Sequence, residues 1–331
     1  MGKFFTNFAL FTISIVFTVL ILEIALSAYS HFFYPRLSIS DETLGWKYKP
    51  TQKMVTRHFS TEITYDLYIN KDGFRDEEFT VDENYYKIMV LGDSMTFGLE
   101  ASQDKIFSSL LEKKLKGVYV NNKIDVMNFG ITGFGTGQEL ISLKKYGAMY
   151  NPDVVIIMLF EINDFDDNTS IISGGRYTPH FRVKNDELVY HNSPDKLQEA
   201  LTYLSDVSVL CHILSNRLGI TKRMLSKKYI MSEQDKMLLM HRIMDEIHNY
   251  TEAKEVPLFI FYIKRNGTGD EKFRSIRQYC INNDIFFRAI PLLAAERVGG
   301  NGHWNSKGHN SVAEIIYNEL SKSKVLDNLA E

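Results

Sequence analysis

The stretch IMVLGDSMTFG, residues 88–98, decides how the whole chain is interpreted. Its first four residues are apolar without alternation, which is typical of a strand covered on both faces in a parallel sheet. The glycine and the polar residues that follow end the strand and begin a helix. Ser94 therefore lies at a strand-to-helix junction, where backbone N–H groups favour negative charge on a neighbouring oxygen. This position makes Ser94 a candidate nucleophile.

Strands and helices alternate along most of the chain. Short apolar runs predict five strands, and segments with helical periodicity lie between and after them. The predicted strands are 88–91, 124–128, 154–160, 257–262 and 285–287, and the predicted helices are 105–115, 138–150, 233–253, 271–282 and 307–322. This alternation predicts a three-layer α/β/α domain with a central parallel five-stranded sheet.

The amino terminus is strongly apolar. Residues 8–27, FALFTISIVFTVLILEIALS, contain one charged residue, Glu23, and about 20 apolar residues suffice to span a bilayer as a helix. We therefore expect a single-pass membrane protein, with a cleaved signal peptide as the alternative. Lys3 before the apolar run favours a cytoplasmic amino terminus and a domain outside the cytoplasm, whereas Arg36 after the run opposes this orientation.

The same patterns divide the chain. Residues 1–34 form the predicted transmembrane anchor, residues 35–85 a stalk and small β-rich lead-in, and residues 86–325 the α/β domain. Residues 165–231 interrupt the alternation, which predicts an irregular insertion directly after a candidate catalytic loop. Long insertions at such places tend to be lids or binding loops.

Composition excludes several kinds of partner. The formal net charge is −3 and no run of Lys or Arg is long enough to make a basic patch, so we do not expect binding to nucleic acid. Cys211 and Cys280 are too few for a disulfide scaffold, although one bridge between them stays open. No cluster of His, Asp and Glu has metal-ligand spacing, so neither a metal nor a cofactor is expected.

Three further residues with suitable chemistry follow predicted strands or precede the last helix. Gly130 permits close approach of the backbone, so its N–H is available to an oxyanion. Asn163 offers a side-chain amide, and His303 lies in a Gly-rich loop where it can serve as a base. Ligands of open parallel sheets bind at the carboxyl ends of the strands, so these residues are expected to meet there.

In this order the residues resemble the four blocks of the SGNH hydrolase superfamily, the GDSL-like lipases and esterases. Ser94 matches the Gly-Asp-Ser block, Gly130 the second block, Asn163 the Asn-Asp pair and His303 the last block. The resemblance covers residues 66–322. It implies an SGNH-type fold, with Ser94 attacking an ester carbonyl and His303 acting as its base. It also implies an oxyanion hole formed by the N–H groups of Ser94 and Gly130 and the Asn163 amide.

The acidic member of the catalytic triad is absent from its usual place. The family places an acid two or three residues before the histidine, where this chain has Asn301 and Gly300. An aspartate normally orients the imidazole and stabilises its charged form. Three alternatives stay open: Asn301 orients His303 through its carbonyl oxygen, a carboxylate from elsewhere such as Glu296 serves, or a Ser-His dyad suffices.

Two more residues are candidates for substrate contact. Glu161 stands where the family usually has Gly, at the rim of the expected pocket. Trp304 offers an indole face on which a sugar could stack, with packing under the last helix as the alternative.

These observations predict a serine esterase that deacylates an O-acylated carbohydrate or cell-envelope substrate. An O-acetyltransferase that uses the same Ser-His pair is one alternative. A catalytically silent carbohydrate-binding protein is another, motivated by Asn301.

Overall fold

The computed structural model describes residues 2–33, 36–57, 63–173, 176–216, 231–265, 267, 270–293, 296–298 and 302–329. The long helix α1 (Gly2–Phe33) begins this part of the chain, and it is long and apolar enough to cross a membrane. Two antiparallel pairs follow, namely β1 (Ser38–Asp41) with β2 (Gly45–Tyr48), and β3 (Gln52–Arg57) with β4 (Thr64–Ile69).

The first half of the α/β domain alternates as predicted, with boundaries that differ by a few residues. Its elements are β5 (Tyr85–Gly92), α2 (Ser94–Phe97), α3 (Phe107–Val118), β6 (Lys123–Gly130), α4 (Thr136–Tyr150) and β7 (Val154–Phe160). A short 3-10 helix, Gln103–Lys105, precedes α3.

The segment after β7 is more regular than its sequence indicates. It holds α5 (Asp164–Asp167), the paired strands β8 (Ile172–Ser173) and β9 (Arg176–Tyr177), the hairpin of β10 (His180–Lys184) and β11 (Glu187–His191), and the helices α6 (Lys196–Val207) and α7 (Val209–Asn216). The expectation of an irregular insertion was therefore wrong for its described part. These elements carry little sequence signal because their strands are short and polar. Each strand pairs with its neighbour in the chain and not with the central sheet.

The remaining elements complete the sheet. They are α8 (Glu233–Ala253), β12 (Leu258–Arg265), α9 (Glu271–Asn282), β13 (Phe286–Leu292) and α10 (Ser306–Lys322), followed by the 3-10 helix Asp327–Leu329. The five strands are parallel, in the order β13-β12-β7-β5-β6. The predicted parallel five-stranded sheet is confirmed.

Alternate residues of each strand face two separate hydrophobic cores, which gives the three layers. On β5, Ile88 and Val90 face the core that contains α3 and α10, whereas Met89 and Leu91 face the core that contains α4, α8 and α9. The second core also includes the buried aromatic and aliphatic residues of the lead-in, Leu44, Trp46, Tyr48, Leu67 and Phe74. The lead-in is therefore packed onto the α/β domain. Cys211 and Cys280 are both free in the structure.

Strand register brings the loops of the site together. Gly92 at the end of β5 pairs with Gly130 on one side and with Met158 on the other. The loops that follow β5, β6 and β7 consequently leave the sheet at one edge, as expected for the carboxyl ends of adjacent parallel strands.

Candidate active site

Ser94 is the first residue of α2 and follows directly on β5. The carboxylate of Asp93 caps the helix by accepting the N–H of Met95 at 2.8 Å. A Cβ on Gly92 would lie 2.1 Å from Thr96 Oγ1, so only glycine lets the helix fold back over the strand end. This tight turn leaves Ser94 half-buried, with its Oγ 3.0 Å from His303 Nε2. Ser94 and His303 are 209 residues apart in the chain and within hydrogen-bond distance in the fold.

His303 lies on a loop that backbone contacts hold in place. The N–H of Val298 donates to His303 O at 2.9 Å, and the N–H of Asn305 donates to Glu296 O at 2.8 Å. Asn305 also caps α10 by accepting the N–H groups of its first turn. Gly302 has a φ of +85°, which permits the turn into His303. The loop thus presents the imidazole to Ser94 from the start of the last helix.

A carboxylate that the sequence analysis missed stands behind the histidine. Glu100 Oε2 lies 3.8 Å from His303 Nδ1, and the Glu100 side chain is fully buried. Of the alternatives that the sequence left open, Asn301 lies outside the described residues, and Glu296 accepts the hydroxyl of Ser311 at 2.7 Å. The fold therefore places a buried carboxylate near His303 from the loop that follows α2, six residues beyond Ser94.

Glu100 was not predicted from the sequence because the family pattern places the acid two or three residues before the histidine, whereas Glu100 lies 203 residues before it. One local signal was present, since an acidic residue follows α2 two residues after its terminal glycine, Gly98. In the structure Glu100 has a φ of +69°, in the left-handed region that non-glycine residues rarely adopt. Such strain is typically maintained at functional sites by the surrounding contacts.

Arg75 of the lead-in supplies those contacts. Its guanidinium is fully buried, and within the described residues most of its hydrogen bonds go to backbone carbonyl oxygens and none to a carboxylate. Burial lowers the pKa of Arg75 to about 10. It donates to the carbonyl oxygens of Gly98 (2.5 Å), Ala101 (2.6 Å), Asp66 (2.7 Å) and Phe97 (3.2 Å), and to Gln103 Oε1 (3.0 Å). Because two of these carbonyls flank Glu100, Arg75 fixes the loop that carries it.

Two of the three predicted oxyanion donors, Gly130 and Asn163, donate to other acceptors in the structure. The N–H of Gly130 donates to Asn128 Oδ1 at 2.9 Å, contrary to the expectation that it faces the hole. The Asn163 amide donates to Asp93 Oδ2 at 3.0 Å and to Asp167 Oδ2 at 2.8 Å, which uses both of its N–H groups. Neither donor is free for an oxyanion in this arrangement. Binding of a substrate oxygen at Asn163 would require the hydrogen bond to Asp167 to be exchanged.

Gly130 has a packing role in this structure. A Cβ at this position would lie 2.3 Å from the backbone nitrogen of Phe97 and 2.6 Å from the carbonyl carbon of Thr96. The absence of a side chain therefore allows α2 to pack directly on β6.

A second glycine, Gly133, lies in the loop that follows β6. Gly133 has a φ of +78°, and its N–H has no hydrogen-bond partner in the part of the chain that the structure describes. The loop is held from the lead-in, where Trp46 Nε1 donates to Thr132 O at 3.3 Å. The sequence signal for this residue is the Thr132-Gly133 pair, which follows Gly130 by two residues.

Asp93, next to Ser94 in the chain, interacts with two other buried carboxyl groups, Glu139 and Asp164. Burial raises the pKa of Asp93 to about 6, against the opposing effect of the hydrogen bonds it accepts. Burial, together with the charge of Asp93, raises the pKa of Glu139 well above its usual range. Burial and the neighbouring Glu139 and Asp93 do the same to the pKa of Asp164, whose Oδ2 accepts the N–H of Phe160 at 2.7 Å. Burial and mutual repulsion therefore both disfavour the charged forms of these carboxyl groups.

The two predicted substrate-contact residues are almost inaccessible. Trp304 is 1% exposed and packs edge-on against Phe107 and His309, so its indole face is not open to a sugar. Glu161 is 4% exposed, and its Oε1 accepts the N–H of Arg265 at 2.8 Å, which ties the ends of β7 and β12 together. In the structure Trp304 packs under the last helix, which was the alternative to sugar stacking, and Glu161 bonds the backbone of a neighbouring strand end.

With this geometry established, comparison with known proteins places the chain in a family. Residues 88–316 match the family described as GDSL-like Lipase/Acylhydrolase. That match covers more than half of the chain, so the protein belongs to this family and is an ester-bond hydrolase with an α/β fold. No curated protein matches the chain.

Solved structures of esterases are similar over most of the chain at low identity. One is the psychrotrophic esterase EstA from Pseudoalteromonas sp., with 13% identity, a TM-score of 0.42, and coverage of 72% of this chain and 97% of that one. Another is a catalytic mutant of the acetylxylan esterase Axe2 from Geobacillus stearothermophilus, with 15% identity, a TM-score of 0.44, and coverage of 71% and 94%.

Proposed function

We propose that this hydrolase is a serine esterase in which Ser94 is the nucleophile, His303 the general base and Glu100 the residue that orients the base. The observation that carries the proposal is the 3.0 Å contact between Ser94 Oγ and His303 Nε2, with the buried Glu100 carboxylate 3.8 Å from His303 Nδ1. A hydroxyl becomes an effective nucleophile when a base within hydrogen-bond distance accepts its proton.

The reaction then runs in two acyl transfers. Nε2 of His303 takes the hydroxyl proton as Ser94 Oγ attacks the ester carbonyl, and the resulting imidazolium returns the proton to the departing alcohol. Water, activated in the same way, hydrolyses the acyl-enzyme. Glu100 favours the tautomer with the proton on Nδ1 and stabilises the imidazolium. The 3.8 Å separation is that of an ion pair, and such contacts often shorten when substrate binds.

We assign the oxyanion donors to the backbone N–H of Ser94, the N–H of Gly133 and the amide of Asn163. Asn163 takes part once its bond to Asp167 is exchanged for the substrate oxygen, whereas Gly130 serves by packing α2 onto the sheet. Each donor of this kind contributes about 3 kcal/mol to transition-state stabilisation.

We further propose that α1 is retained as a membrane anchor with the catalytic domain outside the cytoplasm. Its length, its mean hydropathy of 2.5 and the lack of buried residues support a span. An anchored domain in that location meets O-acylated carbohydrates of the cell envelope, because sugar hydroxyls commonly carry acyl groups there. An acetylated polysaccharide is therefore the proposed substrate class.

Glu100 also favours an enzyme over a silent binding protein. The binding protein was motivated by the missing acid at position 301, and Glu100 supplies a carboxylate on the correct side of His303.

An O-acetyltransferase, which passes the acyl group to a sugar instead of water, would use the same residues. Product analysis with a sugar acceptor present distinguishes the two, since a transferase forms acylated sugar while an esterase releases free acid.

The first experiment is turnover of p-nitrophenyl acetate by the full chain in detergent, together with mass analysis after a fluorophosphonate probe. We expect turnover and one covalent adduct at Ser94, and both should disappear in Ser94→Ala. Ser321→Ala, on the exposed face of α10, is the matched control and should keep both. Turnover that survives in Ser94→Ala would sink the proposed mechanism.

A further inference from the structure

Glu23 has a contact that a simple membrane anchor does not need. Its carboxylate lies within α1 and accepts three hydrogen bonds from the start of α7: from Ser208 Oγ at 2.7 Å, Val209 N at 2.7 Å and Leu210 N at 3.0 Å. Ser27 adds a fourth at 3.1 Å. The first N–H groups of a helix have no partner within it and favour an anion. Glu23 therefore caps α7 from a different helix.

The contact extends along one side of α1. Glu23, Leu26, Ser27 and Ser30 are partly covered, whereas the residues between them are exposed. These four positions recur at the spacing of one helix face. Helix α1 thus packs against the catalytic domain along a defined stripe, and the other side of the same turns remains apolar and exposed.

The position of Glu23 sets the depth of this contact. Helix α1 has 32 residues, and at about 1.5 Å per residue it is about as long as a bilayer with its headgroups is thick, roughly 45 Å. Glu23 lies about five residues past the midpoint, so it falls about 8 Å from the bilayer centre when α1 is centred, inside the hydrocarbon half-thickness of about 15 Å. The junction of α6 and α7 is bonded to Glu23 and must lie at a similar level.

The α6–α7 junction has an exposed apolar surface, as a position inside the bilayer requires. Tyr203, Leu204 and Val207, at the carboxyl end of α6, are exposed by 66%, 44% and 55%. The charged residues of α6 that face solvent, Lys196 and Glu199, lie at its other end. Polarity therefore decreases along α6 towards the residue that contacts Glu23.

The junction is also fastened rigidly to the catalytic domain. Asp206 pairs with the buried Arg176 at 2.7 Å and accepts the Ser40 hydroxyl at 2.5 Å. Arg36, just after α1, donates to Ser205 O at 2.8 Å. Movement of the junction relative to the domain would break these contacts, so its level in the bilayer fixes the height of the whole domain.

We infer that the α6–α7 junction is a second membrane contact, immersed beside α1 in the leaflet nearest the catalytic domain and fastened there by Glu23. The occupant of the Tyr203, Leu204 and Val207 surface is lipid. This inference rests on the proposed anchor. It also requires α1 to be retained, because cleavage near residues 25–28 would remove the cap of α7.

The test places a tryptophan at the junction of the full chain in phosphatidylcholine vesicles, with and without brominated acyl chains. Native Trp46 and Trp304 are 6% and 1% exposed, so they give a constant background. Val207→Trp should show a blue-shifted emission and a loss of emission in brominated lipid beyond that of the parent. Ile281→Trp, exposed on α9, is the matched control and should lose no more than the parent.

A further variant tests the fastening. Glu23→Leu makes α1 more apolar and keeps the anchor, but it should reduce the brominated-lipid quenching of Val207→Trp. Equal quenching of Val207→Trp and Ile281→Trp overturns the inference. A blue shift at Val207→Trp without quenching also overturns it, since a protein would then cover the surface. Release of the full chain from membranes by alkaline carbonate would instead reject the proposed anchor, which separates the two failures.

Discussion

Replacing Glu100 with glutamine removes one charge and leaves the size and backbone of the residue unchanged. The carboxylate lies 3.8 Å from His303 Nδ1 and is fully buried. At that distance, with an effective dielectric constant of about 20, its attraction for an imidazolium is about 4 kcal/mol. Each 1.36 kcal/mol of barrier corresponds to about tenfold in rate, so Glu100→Gln should lower kcat about 10³-fold. Replacing the triad aspartate of a serine protease with asparagine costs a comparable factor, about 10⁴ in kcat.

The assay is the pH dependence of kcat/KM for p-nitrophenyl acetate. Loss of the negative charge makes the protonated imidazole less favourable, so the acidic limb of the Glu100→Gln profile should move to lower pH. Binding of a fluorophosphonate probe to Ser94 should slow in proportion, whereas KM should change little because Glu100 is buried behind the base.

Glu296→Gln is the matched control, since Glu296 belongs to the histidine loop but accepts a hydrogen bond from Ser311. It should retain kcat within about threefold of the parent, as surface or peripheral changes usually do. The reasoning is refuted if Glu100→Gln keeps parental kcat and an unshifted pH profile, or if Glu296→Gln is the more damaging change.

Four further changes probe the support of the site. Arg75→Met leaves several buried carbonyls without a donor and should lower the free energy of unfolding by about 3 kcal/mol or more, measured in urea. Gly130→Ala forces a Cβ into α2 and should lower it by about 1–3 kcal/mol. Asp167→Ala frees an N–H of Asn163 and should raise kcat by about tenfold. Burial lowers the pKa of His309 to about 3, so only the unfolded chain binds its proton between about pH 3 and 6.5, and stability falls as pH falls through that window. His309→Gln should reduce that slope by about 1.4 kcal/mol per pH unit in urea titrations.

The opposite results would each contradict a specific contact. A lower kcat in Asp167→Ala would mean that Asp167 orients Asn163 for catalysis instead of competing with the oxyanion. An unchanged pH slope in His309→Gln would mean that other groups dominate acid unfolding. Parental stability in Arg75→Met or Gly130→Ala would contradict the packing of the lead-in and of α2 against the site. His248→Gln on α8 serves as the control for the histidine change.

Much of the fold follows from the sequence because its signals are local. Buried parallel strands require continuous apolar runs, and their helices require an apolar stripe, so the alternation of residues 88–322 predicted the layers and the parallel sheet. The helices Glu233–Ala253 and Glu271–Asn282 were predicted with their observed bounds, because they have strong periodicity and clear ends. The segment after β7 was misjudged because short hairpins and polar helices carry little periodic signal.

The residues of the candidate site also fall into two groups, those that a local sequence pattern predicts and those that only the fold brings together. The sequence predicted Ser94 and His303 as the nucleophile and base, because a strand end and a Gly-rich loop are visible as local patterns. Only the tertiary structure brought Glu100 behind the histidine, directed the N–H of Gly130 to Asn128, and joined Glu23 to α7 across 186 residues. Contacts between residues so distant along the chain depend on how the elements pack. A local pattern of residue types does not indicate which carboxylate will face an imidazole or cap a helix. These contacts are therefore decided by the fold.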